Sequence, residues 1–267
     1  MLSTGVDMYP ARGEVRAGTE IFHLRSREEC VAADGGCRVL RADARQGSTR
    51  GREVRLVRLD VLRGGAGAER RRAELKAEAR LHDAVPGLPR VVFRCEEPLS
   101  FTFATRMPPG VMLTELYGRP PWSGAVLRDV LRGIALAGRT LQGLHERGRA
   151  HRALRPEVLF ASRDRMWLRD AGLAATPPAA GEGAGAYRAP EQRRATGGPA
   201  TDVYRLAAVV YHLVTGEAPG VDPLPVSRLR PEWAGLDEPL TAALDPEPQR
   251  RPALAVLISD LTHTAER

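Results

Sequence analysis

The residues best placed to do chemistry lie close together in the second half of the chain. His151 and Arg152 are followed by two short apolar runs, then by a carboxylate, Asp170, and by Gly172. Carboxylate oxygens are ligands that Mg²⁺ prefers, so Asp170 could bind a cation together with a nucleotide. The same carboxylate could instead cap a turn by accepting backbone N–H groups. The sequence favours neither role over the other.

Signals on either side of these residues predict the elements that position them. Val158–Phe160 and Met166–Leu168 are strand-like runs that flank a turn. Leu127–Glu146 carries its apolar residues on one face and predicts an amphipathic helix. Thr201–Thr215 is apolar nearly all round, which predicts a helix buried in the core.

The first half of the chain is predicted to be rich in β-structure. Runs of Val, Leu and Ile predict five strands, at Ile21–Leu24, Cys37–Ala42, Glu53–Val61, Val91–Glu96 and Ser100–Thr105. One helix, roughly Glu69–Asp83, is predicted in their middle. Residues 1–20 show no clear periodicity and are predicted to be a loose extension.

The order of motifs resembles that of the bacterial eukaryotic-type, or Hanks-type, Ser/Thr protein kinases. That family carries H-R-D-x-K-P-x-N, then D-F-G, then A-P-E. The matching segments here read HRALRPEV, DAG and APE, and TDVYRLAAVVYHLVTGEAP resembles a buried helix of the family. The resemblance implies an α+β, bilobal kinase-like fold. A small β-rich N-lobe would span 21–106, and a larger α-helical C-lobe would span 107–267.

Groups that the family needs for phosphoryl transfer are missing from the matching positions. Ala153 stands where the family has its catalytic Asp, and Val158 where it has a metal-binding Asn. Alanine accepts no proton and valine ligates no Mg²⁺. Asp170 is the one matched metal ligand that remains. Three other residues of this loop still match the family motif, but none of them is the catalytic base. They are His151, Arg152 and Arg155.

The third predicted strand lacks the lysine of the family, because that position falls on Val57. The chain contains a single lysine, Lys76, on the predicted helix, and no asparagine. Side chains of a strand alternate between faces, so Arg58 could replace the lysine only if the register slips by one. The helix glutamate that pairs with the lysine in the family matches Glu78, with Glu74 as the alternative.

The loop that covers nucleotide phosphates in the family is only weakly matched. Gly35 and Gly36 stand in place of G-x-G-x-x-G, with the wrong spacing. Asp34 would put negative charge beside the phosphates. A plain hairpin turn is therefore the favoured interpretation, although both glycines remain candidates for cofactor binding.

Residues that support the family fold are retained. Glu191 of A-P-E and Arg251 match a buried ion pair, and Asp202 matches the aspartate that holds the catalytic-loop backbone. The loop before A-P-E has Ala184 where the family has a threonine that contacts the catalytic Asp. Thr176 is the only Ser or Thr of that loop, which argues against ordering by phosphorylation.

Length, composition and charge exclude several classes of protein. The chain has 267 residues, 43% of them hydrophobic and 27% charged, which suits one large or two small lobes. No apolar run is long enough for a membrane span, and no signal peptide is evident, so a cytoplasmic protein is expected. The net charge is +7, but acidic residues are interspersed throughout, which disfavours a nucleic-acid partner. The three cysteines (Cys30, Cys37 and Cys95) are scattered and predict free thiols.

These observations predict a pseudokinase, a catalytically inactive kinase-like module that binds or regulates a protein partner. No cofactor is expected, or ATP with Mg²⁺ or Mn²⁺ bound weakly. One alternative is a divergent active Ser/Thr kinase that uses Arg58 and Asp170. Others are a sensor that binds ATP without hydrolysing it, and an anion-binding surface built from the many arginines.

Overall fold

A computed structural model describes residues 13–266 except 27–28, 35, 48–50, 163–164, 184 and 195, and leaves out the side chains of 29–34. The described chain forms two compact units. The first unit comprises the described chain up to Asp83 together with Pro89–Met107. The second unit comprises Ala84–Leu88 and the chain from Pro108 onward.

The first unit is built on an antiparallel sheet with one long helix. Its described strands are β1 (Glu14–Ala17), β2 (Glu20–Leu24), β3 (Glu29–Asp34), β4 (Cys37–Gln46), β5 (Arg52–Val61), β6 (Val91–Glu97) and β7 (Ser100–Arg106). Helix α1 is Ala66–Ala84. The strand order is β1-β2-β4-β5-β7-β6, and β3 also pairs with β4.

All five strands predicted for the first unit are present, but two further strands of that unit, β1 and β3, were missed. Strand β1 lies within residues 1–20, so the prediction of a loose extension is wrong for the described part of that segment. Strand β1 has four residues and β3 has six, and both mix polar with apolar side chains. Such short alternations give too weak a signal to identify a strand before its partner is known.

The sheet of the first unit buries apolar side chains on two faces. Val57 and Leu59 of β5 pack in one cluster with Leu75 and Ala79 of α1. Leu56, which points to the other face, packs in a second cluster that lacks α1 residues. The helix therefore covers the face of β5 that carries Val57.

The second unit is mostly helical. Its helices are α2 (Leu113–Tyr117), α3 (Gly124–His145), α4 (Pro199–Thr215), α5 (Val226–Leu229), α6 (Asp237–Ala243) and α7 (Leu254–Glu266). Its described strands are β8 (Val111–Met112), β9 (Leu159–Ser162) and β10 (Arg165–Leu168), in the order β10-β9-β8. A β-rich unit followed by a helical one confirms the predicted α+β class.

Helix α4 is the buried centre of the second unit, as its apolar sequence predicted. Nearly every residue from Thr201 to Val214 is shielded from solvent. It ends at Thr215, and the next residue, Gly216, has a φ of 89° that suits a glycine after a helix C-terminus. No helix among the described residues is long and apolar enough to cross a membrane.

Candidate functional site

Asp202, in the first turn of α4, organises the loop that begins at His151. Its side chain is fully buried. One carboxylate oxygen accepts the backbone N–H of His151 at 2.8 Å, and the other accepts that of Arg152 at 2.7 Å. The Nε2 atom of His145 lies 2.8 Å from the same carboxylate. These bonds hold Arg152 at a φ of 56°, a conformation that non-glycine residues rarely adopt.

His151 is buried, and its ring nitrogens bond to the backbone around this loop. Its Nε2 atom lies 3.0 Å from the backbone carbonyl of Asp170, which can only accept a hydrogen bond, so Nε2 carries the proton. Its Nδ1 atom then accepts the backbone N–H of Ala153 at 3.3 Å. Both ring nitrogens are used in positioning the loop. Burial lowers the pKa of His151 below its ordinary value, more than the nearby Asp202 carboxylate raises it.

The low pKa of His151 predicts a loss of stability in acid. The folded protein keeps the ring neutral, whereas the unfolded chain takes up a proton at about pH 6.5. The contribution to stability is therefore complete above about pH 6.5 and is lost as the pH falls through the folded-state pKa. Urea denaturation at several pH values should show a slope, with the free energy of unfolding decreasing as the pH falls below about 6.5. The slope should shrink in His151→Gln and persist in His263→Gln, an exposed control; an unchanged slope in His151→Gln would contradict the assignment.

Gly172 packs directly against this histidine. Its φ is 61°, and a Cβ atom there would lie 2.4 Å from the backbone oxygen of His151. Only glycine fits such an approach. The structure thus gives Gly172 a packing role, while its predicted role in cofactor binding stays a prediction.

Asp170, the predicted metal ligand, lies beside the guanidinium group of Arg169. Its Oδ2 atom is 3.6 Å from Nε of Arg169, and both side chains are about nine-tenths buried. The Arg169 guanidinium also lies over the ring of Phe160, 5.4 Å from its centroid. Val158, at the position of the missing Asn, is buried and has no atom that can ligate a metal. Within the described residues no cluster of three or more His, Cys, Asp or Glu could hold a metal ion. These residues do not fit a divalent-cation site of the family type.

The position that holds the catalytic Asp in the family carries no group suited to proton transfer. Ala153 is partly exposed and presents only a methyl group. Arg155 extends towards solvent, with Nε 3.5 Å from a carboxylate oxygen of Glu157. The loop is therefore held in place without a carboxylate at position 153.

In the first unit, the prediction that Arg58 could replace the missing lysine is wrong. The register does not slip: Val57 is buried in the cluster beneath α1. Arg58 points to the other face, where its Nε lies 2.6 Å from Asp60 and its Nη1 donates to the backbone oxygen of Arg16 at 2.7 Å. Its alternation with Val57 is what an undistorted strand requires.

The cation that pairs with Glu78 is Arg41, a residue that the sequence did not point to. Arg41 of β4 lies directly opposite Val57 of β5, so both side chains are on one face of the sheet. Its Nη2 donates to Oε1 of Glu78 at 2.7 Å, and the two side chains are 12% and 5% exposed. Glu74, the alternative, pairs with Arg71 of its own helix. Glu78 thus has a buried cationic partner from the neighbouring strand, which only the β4–β5 register reveals.

The segment between β3 and β4 is a tight hairpin. Asp34 is opposite Cys37, so only two residues join the strands. The carbonyl of Gly36 accepts the backbone N–H groups of Leu62 and Arg63, both at 2.9 Å. Gly35 lies outside the described residues. The segment is thus a hairpin, and binding of a cofactor by Gly35 and Gly36 stays a prediction.

Glu191 and Arg251 form a bidentate ion pair, with both N–O distances at 2.8 Å. Thr201 also donates to Glu191 at 2.7 Å. Burial alone would raise the pKa of Glu191, but the bonds from Arg251 and Thr201 outweigh it and hold that pKa below its ordinary value. This pair joins the A-P-E turn to the chain beyond α6. Ala184 of the preceding loop lies outside the described residues.

No protein-family model matches the chain. It is 38% identical over 104 residues to the serine/threonine-protein kinase PknL of Mycobacterium tuberculosis, covering 36% of this chain and 24% of that protein. It is 31% identical over 126 residues to the serine/threonine-protein kinase PknB of Mycobacterium leprae, covering 39% of this chain and 20% of that protein. The chain thus spans about a quarter of the length of these curated relatives, or less.

Solved structures extend the similarity over nearly the whole chain. A point variant of the PknI kinase domain of Mycobacterium tuberculosis has a TM-score of 0.63 and 25% identity, covering 97% of this chain and 100% of that chain. Another crystal structure of the same kinase domain gives a TM-score of 0.61 at 22% identity, covering 96% and 100%. The solved structures show the kinase fold. Together with the motifs from His151 to Arg251 and the sequence relatives, they support membership of the Hanks-type Ser/Thr protein kinase family.

Proposed function

We propose that this kinase-like domain is a pseudokinase, a protein-binding or allosteric module that does not transfer phosphate. One observation carries the proposal: Asp202 holds the His151–Arg152 backbone in place, yet the next residue, Ala153, offers only a methyl group. The support of the catalytic loop is retained while its base is absent. Retention of this support without the base suits a domain that is selected for its shape.

The expected loss in the rate of phosphoryl transfer supports this function. Phosphoryl transfer depends on positioning and charge, and base, lysine and metal ligands act as a unit. Every kcal/mol of transition-state stabilisation that is removed slows the reaction by about fivefold. The base position is Ala153, the lysine position is Val57, and Asp170 lies beside Arg169. Transfer near the uncatalysed background is therefore expected.

The direct test is incubation with radiolabelled ATP, Mg²⁺ or Mn²⁺ and generic protein substrates. Incorporation should not exceed that of a sample without the protein. Asp170→Ala is the matched control, because Asp170 is the one remaining ligand that the family motif supplies. Incorporation by the wild type that disappears in Asp170→Ala would overturn the proposal in favour of a divergent active kinase.

A second candidate, a sensor that binds ATP without hydrolysing it, is favoured by the Arg41–Glu78 pair. This pair places a buried cation on the face of the sheet that carries the lysine position in the family. A ligand that binds only the folded state raises thermal stability in proportion to ln(1 + [L]/Kd). Unfolding temperatures should be compared with and without millimolar ATP. Absence of any shift would exclude the sensor and leave a module that works through protein contacts alone.

A further inference from the structure

The loop that precedes the A-P-E turn is held by two buried arginines of the second unit. We call residues 173–183 the 173–183 segment. It follows Gly172 and contains Thr176 as its only residue with a hydroxyl side chain. Several of its backbone N–H groups are bonded, among them Leu173 to the oxygen of His151, Thr176 to that of Leu173, and Gly181 to that of Gln192.

Arg152 holds both ends of this segment. Near the start, its Nη2 donates to the backbone oxygens of Leu173 and Thr176, at 2.5 and 2.6 Å. Near the end, its Nη1 lies 3.4 Å from Oε1 of Glu182, with the two side chains only 3% and 6% exposed. The other Glu182 oxygen accepts the backbone N–H of Ala179 at 3.0 Å. A carboxylate of the segment thus neutralises a buried guanidinium.

Arg205 of α4 provides a second contact. It is fully buried, and its Nη1 donates to the oxygen of Gly183 at 2.8 Å and to the side chain of Gln192 at 2.9 Å. Its Nε donates to the oxygen of Leu154, so one guanidinium joins the catalytic loop to the segment. Gly183 has a φ of 61°, and a Cβ there would lie 2.7 Å from Nη1 of Arg205. A glycine is therefore needed for this approach.

Kinases commonly order this loop by phosphorylation, which creates a new pair between arginine and phosphate. Here an acidic side chain already meets the arginine. We propose that the 173–183 segment is ordered by the protein's own charges, with the Glu182 carboxylate against Arg152 and Arg205 on the Gly183 carbonyl, and needs no phosphate. Such a segment presents one surface to a partner in every phosphorylation state. These contacts do not involve Ala153, Val57 or Asp170, so their test is separate from that of the pseudokinase proposal.

Hydrogen–deuterium exchange on protein shown by intact mass to carry no phosphate tests the proposal. The bonded amides of Leu173, Thr176 and Gly181 should be protected in this unmodified wild type. In Glu182→Gln, which keeps the shape of the side chain but removes its charge, exchange across the segment should quicken on the order of tenfold. Exchange in α3 should not change.

Glu157→Gln is the matched control, because Glu157 is a half-exposed carboxylate that faces an exposed arginine. Its exchange pattern should equal that of the wild type. Arg205→Met provides a second variant, with fast exchange expected in the segment while α3 stays protected. Unprotected amides in the unmodified wild type, or protection that survives Glu182→Gln, would overturn the proposal.

Discussion

Replacing Glu191 by alanine is expected to lower the free energy of unfolding by about 3–5 kcal/mol. The Arg251 side chain is fully buried and meets both oxygens of Glu191 at 2.8 Å. Removing the carboxylate leaves a buried guanidinium without its counter-charge, and this costs more than the loss of an exposed pair. Urea denaturation followed by tryptophan fluorescence measures the effect, because Trp122, Trp167 and Trp233 all lie in the second unit.

Two further variants make this test specific. Glu157→Gln removes the carboxylate of an exposed pair and should change stability by less than about 1 kcal/mol. The double variant Glu191→Ala with Arg251→Met removes both charges and should be less destabilised than the sum of the single changes. Additive effects in the double variant would show that the two side chains do not act as a pair.

The second large effect is expected for Asp202→Asn, which should lower the free energy of unfolding by about 1–3 kcal/mol or more. Each carboxylate oxygen of Asp202 accepts a backbone N–H, from His151 and from Arg152. An asparagine side chain has one oxygen and one NH₂ group, so it must turn a donor towards one of these donors. That buried N–H would be left without an acceptor. The same fluorescence-detected denaturation measures the loss.

Asp129→Asn is the control, because Asp129 is 58% exposed and pairs with Arg132 one helical turn away. It should stay within about 0.5 kcal/mol of the wild type. If Asp202→Asn is no more destabilised than this control, Asp202 does not hold the loop. Hydrogen exchange at His151 and Arg152 would then remain slow in the variant.

The α+β fold could be predicted because its strongest signals are local. The long apolar pattern of α4 and the one-sided pattern of α3 each span four or more turns, and tertiary packing does not alter them. Strands β1 and β3 lack such a signal. A strand of four to six residues carries little pattern of its own, and its stability comes from a partner strand that the sequence does not identify.

In the candidate site, too, the pairing of side chains could not be predicted from local sequence patterns. Arg58 was a reasonable candidate only as long as the register of β5 was unknown, and the structure places it on the face away from Val57. Arg41 is sixteen residues earlier in the chain than Val57, and no local pattern links them. The pairing of β4 with β5 brings them opposite each other, which is why Arg41 reaches Glu78.

The sequence by itself determined which chemical groups this protein lacks. Alanine at 153, valine at 158 and the absence of asparagine are facts about atoms, and no arrangement of the chain can supply an oxygen that is not there. Only the tertiary structure decided which charges meet. Arg41 with Glu78, Arg152 with Glu182 and Arg251 with Glu191 are pairs whose partners lie far apart in the chain. Such pairs depend on strand register and on the path of loops, which are set by the packing of the whole unit and not by any one segment.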